Sequence, residues 1–363
     1  MRRLALSVVA TAVAVVTLWA ITEIAYRLFS PRSYTTDATL VPDEGLGWDS
    51  APTISPLPLN RERAPAILYL GDSFTQAAGW PAEAQRRLER QGLTNTGFNL
   101  GVSGYGTTQE MLKLRRHIVD LKPRAIVVLF FAWNDLRDNY PYPEIYYGPQ
   151  RTSRPYLIMT NGHASITPVQ WASSIESLLL RSEAYLRLIN RATLAINARV
   201  VARWPGLPAQ LGWRARLYYE HPVSWQPFYR AADASSPYVQ GAYETTLEAL
   251  RQIRAMSDQA QAALLVIGID NSFTVDADDV EDFLKPNPDL DSSLPMRRMT
   301  GLLQQEGIAF VNAQPELAAL GRSLGRDVYN GPRGGLAGHL GPDGDLLIGQ
   351  IAARWLAAKL GGR

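Results

Sequence analysis

The run ILYLGDSFTQ, residues 67 to 76, sets four apolar residues in front of Gly71-Asp72-Ser73. A β-rich run stopped by glycine is, on one reading, a strand meeting a turn, because glycine accepts backbone angles that other residues avoid. On the other, Ser73 sits at the carboxyl end of a central strand, where open α/β sheets gather their ligands and where a hydroxyl can face a crevice. The stretch alone leaves both readings open, and the surrounding chain has to separate them.

From Ala66 onward, apolar runs alternate with helical patterns, the signature of a parallel sheet covered on both faces. The runs are Ile67–Leu70, Gly97–Leu100, Ala125–Phe131, Ala263–Ile269 and Ile308–Val311. Pro81–Gln91 carries proline in its first turn and stops before Gly92, while Thr107–Leu121 and Tyr238–Ala260 keep apolar residues at three- and four-residue spacing. Five strands with intervening helices predict a flavodoxin-like three-layer α/β/α sandwich around a central parallel five-stranded sheet. Ser73 then follows the first strand of an α/β domain over residues 66–363.

One interval breaks the rhythm. Residues 137–237 are too long for a simple crossover and contain a helical stretch of their own, Ser182–Trp204, so they read as an inserted helical subdomain or lid. The interval holds 11 arginines, no lysine, six acidic residues, nine tyrosines and four tryptophans. That composition suits either a surface for sugar or lipid or an ordinary helical subdomain with a basic solvated face.

At the amino terminus, Arg2 and Arg3 precede 19 charge-free positions, Leu4 to Thr22, long enough to span a bilayer as a helix. The two arginines favour a cytoplasmic amino terminus and an extracytoplasmic domain, on the periplasmic side in a Gram-negative cell. A cleaved signal peptide is the rival, but small-x-small sites are poor, with Leu18 two before Ala20 and Glu23 two before Ala25. Residues 1–28 are therefore expected to be a transmembrane anchor and residues 29–65 a tether, docked in part through Leu46 and Trp48.

With 36 Lys+Arg against 34 Asp+Glu, the formal charge of +2 is too balanced to indicate a nucleic-acid partner. The absence of cysteine excludes disulfides and thiolate metal sites. The acidic stretch Asp276–Asp282 lacks the glycine-punctuated spacing of a calcium loop and reads as a solvated loop, so neither metal nor cofactor is expected.

A nucleophilic serine needs a base and donors for the oxyanion it creates. Asn134 follows the third strand in FFAWND, and Gly101 follows the second in NLGVSGYG, where it could bring a backbone N–H close or merely form a turn. Of the four histidines, His117 falls within a helix and His163 and His221 in the insertion. His339 sits in a glycine-rich loop before the last helix, free to reach the sheet end.

Gly71-Asp72-Ser73-Phe74, Gly101, Asn134-Asp135 and His339 resemble, in order, the blocks of the SGNH hydrolase family, also called GDSL esterases and lipases, across residues 66–358 apart from the insertion. NLGVSGYGTTQ with FFAWNDLRDN is also similar to a membrane-anchored branch associated with envelope or secreted polysaccharides. The resemblance implies Ser73 as nucleophile, His339 as base, and the Ser73 N–H, the Gly101 N–H and the Asn134 amide as oxyanion donors. It further implies no cofactor and an acyl ester substrate, with O-acylated carbohydrate foremost.

Two positions depart from the family pattern. Ala132 stands where the third block has glycine, and Leu336 stands three before His339, where the family places an aspartate. The favoured form is a Ser-His dyad, with His339 oriented by a backbone carbonyl or by Asp327 or Asp343 as candidate acids, none of them specified by spacing. The same site could transfer the acyl group to a sugar hydroxyl instead of water, and a weakened enzyme serving as a polysaccharide-binding or assembly component is the non-enzymatic alternative. Protein partners are unknown from sequence.

Overall fold

Successive residues of the central strands part to opposite sides and line two apolar layers. Leu68, Leu70, Ile126, Val128, Phe130 and Val266 face one layer, and Ile67, Tyr69, Val127, Leu129, Leu265 and Ile267 face the other. A strand buried on both faces is the requirement of a parallel sheet between two helical layers. The computed structural model describes residues 10–11, 13–22, 39–58, 64–140, 154–169, 225–276, 279, 281, 284–285, 287–330 and 338–361. Ser182–Trp204 and the amino-side half of the glycine-rich loop, residues 331–337 with Leu336 among them, lie outside them.

The chain divides into two compact units. One comprises Met1–Ala38, Pro143–Arg154 and Gln170–His221, and the other comprises Thr39–Tyr142, Pro155–Val169 and Pro222–Arg363. In the first, residues 10–11 and 13–22 are helical, with Val13, Val15, Val16, Leu18 and Ile21 exposed. The expected membrane-spanning helix is not supported: among the described residues no helix is long and apolar enough to cross a membrane. Leu4–Val9 and Ala12 of that expectation fall outside the described residues.

The second unit opens with β1 (Leu40–Asp43) and β2 (Gly47–Ser50), an antiparallel hairpin, followed by β3 (Ser55–Pro56). β4 (Ala66–Leu70) leads into the short helix α1 (Ser73–Gln76) and then α2 (Trp80–Arg90). β5 (Thr96–Asn99), α3 (Thr107–Leu121), β6 (Pro123–Phe131) and α4 (Ala132–Asn139) follow. A hairpin of β7 (Leu157–Thr160) and β8 (His163–Ile166) precedes α5 (Gln226–Tyr229) and α6 (Pro237–Gln259). The chain continues through β9 (Ala263–Ile269), α7 (Leu294–Gln305), β10 (Phe310–Asn312) and α8 (Gln314–Leu324). It closes with β11 (Tyr329–Asn330), β12 (His339–Leu340) and α9 (Pro342–Leu360).

The main sheet runs β10-β9-β6-β4-β5-β3. Its five long-range neighbours from β5 to β10 pair in parallel, in the order of a flavodoxin-like sheet, while β3 joins the edge antiparallel. The sheet is thus mixed and six-stranded where five parallel strands were expected. The extra strand comes from the segment read as a tether, whose irregular composition hid a two-residue edge strand. Leu46 and Trp48 of that segment are fully buried, so the folded unit starts at Thr39 and not at Ala66.

Candidate active site

Gly71 answers why the first strand stops where it does. Its φ of +152° is a conformation that L side chains rarely adopt, and a Cβ there would lie 2.1 Å from Thr75 Oγ1. The chain therefore turns back on itself at once, and Asp72 caps α1 by accepting from Phe74 N at 2.8 Å. The Asp72 carbonyl accepts from Thr75 N and Gln76 N at 3.0 and 2.9 Å. Ser73, half-buried, occupies the first position of α1.

Asn134 lies in the first turn of α4, directly after β6. Its Nδ2 donates to Asp72 Oδ2 at 2.7 Å, so the amide is held to the residue preceding Ser73. One Nδ2 proton is used in that bond and the amide has a second. Asp72 is buried, and burial raises its carboxyl to about 6 against the opposing bonds from Asn134 and Phe74.

Gly101 follows β5 and comes so near α1 that a Cβ would stand 2.5 Å from Gln76 N and 2.7 Å from Thr75 Cβ. No other residue type fits this approach. Its N–H, the expected oxyanion donor, donates to Asn99 Oδ1 at 2.8 Å, and Asn99 Nδ2 donates in turn to Thr75 O at 2.7 Å. In this arrangement the Gly101 N–H is committed to Asn99.

His339 lies on β12, paired with Asn330 of β11. Its ring centroid is 4.7 Å from that of Phe74, the neighbour of Ser73, and Phe74 in turn packs on Phe131 at 4.3 Å. Desolvation by the surrounding protein pulls the imidazole pKa below its ordinary value, although the side chain keeps an exposed edge. Among the described residues no hydrogen bond joins His339 to Ser73, and no carboxylate bonds to His339. The two candidate acids are placed elsewhere: Asp343 accepts from Arg326, and Asp327 is exposed. Neither serves as an acid for His339 in this arrangement.

The sequence assigned no role to several residues beside the site, although Asp135 stands in the Asn134-Asp135 block. Glu110 of α3 and Asp135 of α4 are buried, and both are raised well above the carboxylate range, mainly by burial, with Asp72 adding its charge to each. Both Glu110 oxygens and Asp135 Oδ1 lack a partner, while Asp135 Oδ2 accepts from Phe131 N at 2.8 Å. Protonated forms of Glu110 and Asp135 are thereby favoured behind Asp72. Asp270, at the end of β9, is also buried and raised to about 7; its Oδ1 accepts from Tyr229 Oη at 2.6 Å and its Oδ2 has no partner. Tyr229 belongs to an aromatic group with Trp225, Phe273 and Trp133, the residue before Asn134, and Trp133 and Trp225 lie 4.4 Å apart.

Asp276 departs from the expected solvated loop. It is buried, accepts from Val328 N at 3.2 Å, and is raised to about 6 chiefly by desolvation. Its backbone partner fixes the approach to β11, which explains why an apparently loop-like acidic run begins on an interior residue. Among the described residues no group of His or acidic side chains is arranged to hold a metal ion.

Residues 69–234 match the family model described as GDSL-like Lipase/Acylhydrolase. The chain carries a GDSL-like acylhydrolase domain, and it is a hydrolase. The matched stretch of this domain contains Ser73, Gly101 and Asn134 and ends ahead of His339. No curated protein matches the chain. Among solved structures, it is similar to a GDSL-like lipase from Bacteroides thetaiotaomicron, at 11% identity and a TM-score of 0.35, over 84% of this chain and 93% of that one. It is also similar to a catalytic mutant of an acetylxylan esterase from Geobacillus stearothermophilus, at 11% identity and a TM-score of 0.39, over 82% and 94%. At such scores neither likeness bears on the site.

Proposed function

We propose that this GDSL-like hydrolase cleaves acyl esters through Ser73 and His339. Ser73 Oγ attacks the ester carbonyl while the His339 ring takes its proton; the alcohol leaves with that proton, and water, deprotonated by the same ring, releases the acyl group from Ser73. The Ser73 N–H, the second Nδ2 proton of Asn134 and the Gly101 N–H, once released from Asn99, stabilise the oxyanion. The observation that carries this reading is the Asn134–Asp72 hydrogen bond, which ties a side-chain donor to the turn that presents the serine.

The substrate class is O-acylated carbohydrate, a reading supported by the arginine- and aromatic-rich composition of residues 137–237. The domain works outside the cytoplasm behind an amino-terminal anchor, for which the charge-free run Leu4–Thr22 and the arginines before it are the support. The test is turnover of acetyl and longer acyl esters by the full chain, with and without a carbohydrate acceptor, alongside Ser73→Ala. Hydrolysis that depends on Ser73 supports the reading; acyl transfer that appears only with the acceptor assigns the same site to a transferase; activity retained by Ser73→Ala overturns it.

A further inference from the structure

The segment Thr39–Ser50 does more than cover the core. Trp48 grips the loop that carries Gly101, Leu46 is held by the helix that follows that loop, and Thr39 reaches the helix that carries Ser73. The Trp48 indole, fully buried, donates from Nε1 to Ser103 O at 3.0 Å. Tyr105 Oη donates to Trp48 O at 2.6 Å, and the two rings meet edge to face at 6.0 Å. Gln109 Nε2 donates to Leu46 O at 2.8 Å.

Gln76, the last residue of α1, closes the circuit. Its Oε1 accepts from Ser103 N, and its Nε2 donates to Thr39 Oγ1 at 3.0 Å. Both polar groups of the Ser103 peptide are therefore used: the N–H on the serine helix, and the C=O on the amino-terminal hairpin. Ser103 lies two residues after Gly101, and Gln76 three after Ser73, so the circuit spans the loop and the turn whose separation sets the oxyanion geometry.

The hairpin itself is firmly seated. Lys113 Nζ meets Asp49 Oδ1 at 2.6 Å with both side chains buried, and Arg116 meets Asp43 Oδ1 and Oδ2 at 2.9 and 2.7 Å. These contacts fasten the hairpin to α3 and make no bond to the Gly101 loop. The Trp48, Tyr105 and Gln76 bonds are different in kind, because they end on the loop and the turn. The Gly101 loop also meets the turn directly, through Val102 N donating to Gly71 O at 3.1 Å and through Asn99, which accepts from Gly101 N and donates to Thr75 O; the Trp48 and Gln76 bonds add the hold on the next residue, Ser103.

We propose that the Thr39–Ser50 hairpin is part of the catalytic apparatus, with Trp48 and Gln76 as positioning residues that hold the Gly101 loop against the Ser73 turn through the Ser103 peptide. The inference rests on the acyl-transfer reading given above. Misplacing an oxyanion donor by a fraction of an ångström weakens transition-state stabilisation without changing how a small ester binds. The hairpin should thus act on turnover and not on affinity.

Two side-chain deletions on the full chain test this. Trp48→Phe keeps an aromatic ring but removes the donor to Ser103, and Gln76→Leu removes both Gln76 bonds while Gln76→Glu restores only the acceptor for Ser103 N. Trp48→Phe and Gln76→Leu should each lower kcat on a small aryl acetate by about 10-fold with KM within about twofold, and Gln76→Glu should recover most of the loss. Amide hydrogen exchange at residues 101–105 should quicken in the two damaging variants, a readout that does not require an active serine.

Unchanged exchange at 101–105 in both variants overturns the proposal, whatever the activity. Faster exchange with unchanged kcat in an active wild type also overturns it, because the hairpin would then order a loop that catalysis does not use. A wild type that lacks Ser73-dependent turnover overturns the esterase reading instead, and the exchange result still decides whether the hairpin holds the loop. If Trp48→Phe fails to fold, the Gln76 pair, on the half-buried last residue of α1, carries the same test.

Discussion

Asn134 Nδ2 donates to Asp72 Oδ2 at 2.7 Å, while Oδ1 of the same carboxyl caps the helix that begins with Ser73. One buried acid thus fixes both the turn that carries Ser73 and the Asn134 amide proposed as an oxyanion donor. Asn134→Ala should lower kcat by about 10²–10³-fold with little change in KM, because the amide acts on charge present only in the transition state. Steady-state kinetics on a small aryl ester checks this, with near-ultraviolet circular dichroism to confirm the fold. Equal turnover would remove Asn134 from the mechanism.

Asp72→Asn should also slow turnover, since an amide at position 72 can keep the cap to Phe74 N but presents a second donor to Asn134. The loss should be smaller than that of Asn134→Ala, about 10-fold, because the Asn134 amide stays present but less well oriented. A larger loss than Asn134→Ala would mean that the carboxylate itself takes part.

His339 must be neutral to accept the Ser73 proton, and desolvation lowers its pKa from the ordinary 6.5. A lowered imidazole pKa extends the neutral form to more acid pH, so the acid limb of kcat/KM should fall below pH 6.5. His339→Ala should abolish that limb along with most of the activity. An acid limb above pH 6.5 would show a carboxylate partner raising the ring, contrary to the arrangement found.

Asp270 provides a stability test separate from catalysis. Its folded carboxyl is raised from 3.8 to about 7, so the folded state binds a proton that the unfolded state has lost between those values, and stability falls as pH rises through that window. Asp270→Asn removes the fall while keeping an oxygen for Tyr229 and Asn271. Thermal unfolding of this variant should match wild type near pH 4 and exceed it by several degrees at pH 8. A difference that is constant across this range would locate the effect in packing.

The flavodoxin-like strand order and the places of Gly71, Gly101 and Asn134 after their strands were legible because they rest on strong local signals: continuous apolar runs for strands buried on both faces, and glycine where the backbone must turn or approach closely. The last strand was expected at Ile308–Val311 and is found at Phe310–Asn312, a shift natural to a three-residue strand at the sheet edge. The Thr39–Ser50 hairpin was obscure because its value lies in contacts across more than 50 residues, Trp48 with Ser103 and Asp49 with Lys113, and not in any periodicity. Asp270 and Glu110 were obscure for a related reason. A lone acid after a strand or within a helix looks solvated until the fold buries it. The acid expected for His339 was sought by spacing in the chain, and neither Asp327 nor Asp343 meets the ring.

The central claim is that Ser73 is an activated nucleophile, and covalent labelling by a fluorophosphonate reads it most directly. Mass spectrometry of the labelled full chain should place one adduct on the peptide containing Ser73, lost in Ser73→Ala and slowed at least 100-fold in His339→Ala, as expected when a serine loses its base. No adduct on active-site peptides, or the same adduct in Ser73→Ala, would contradict the account.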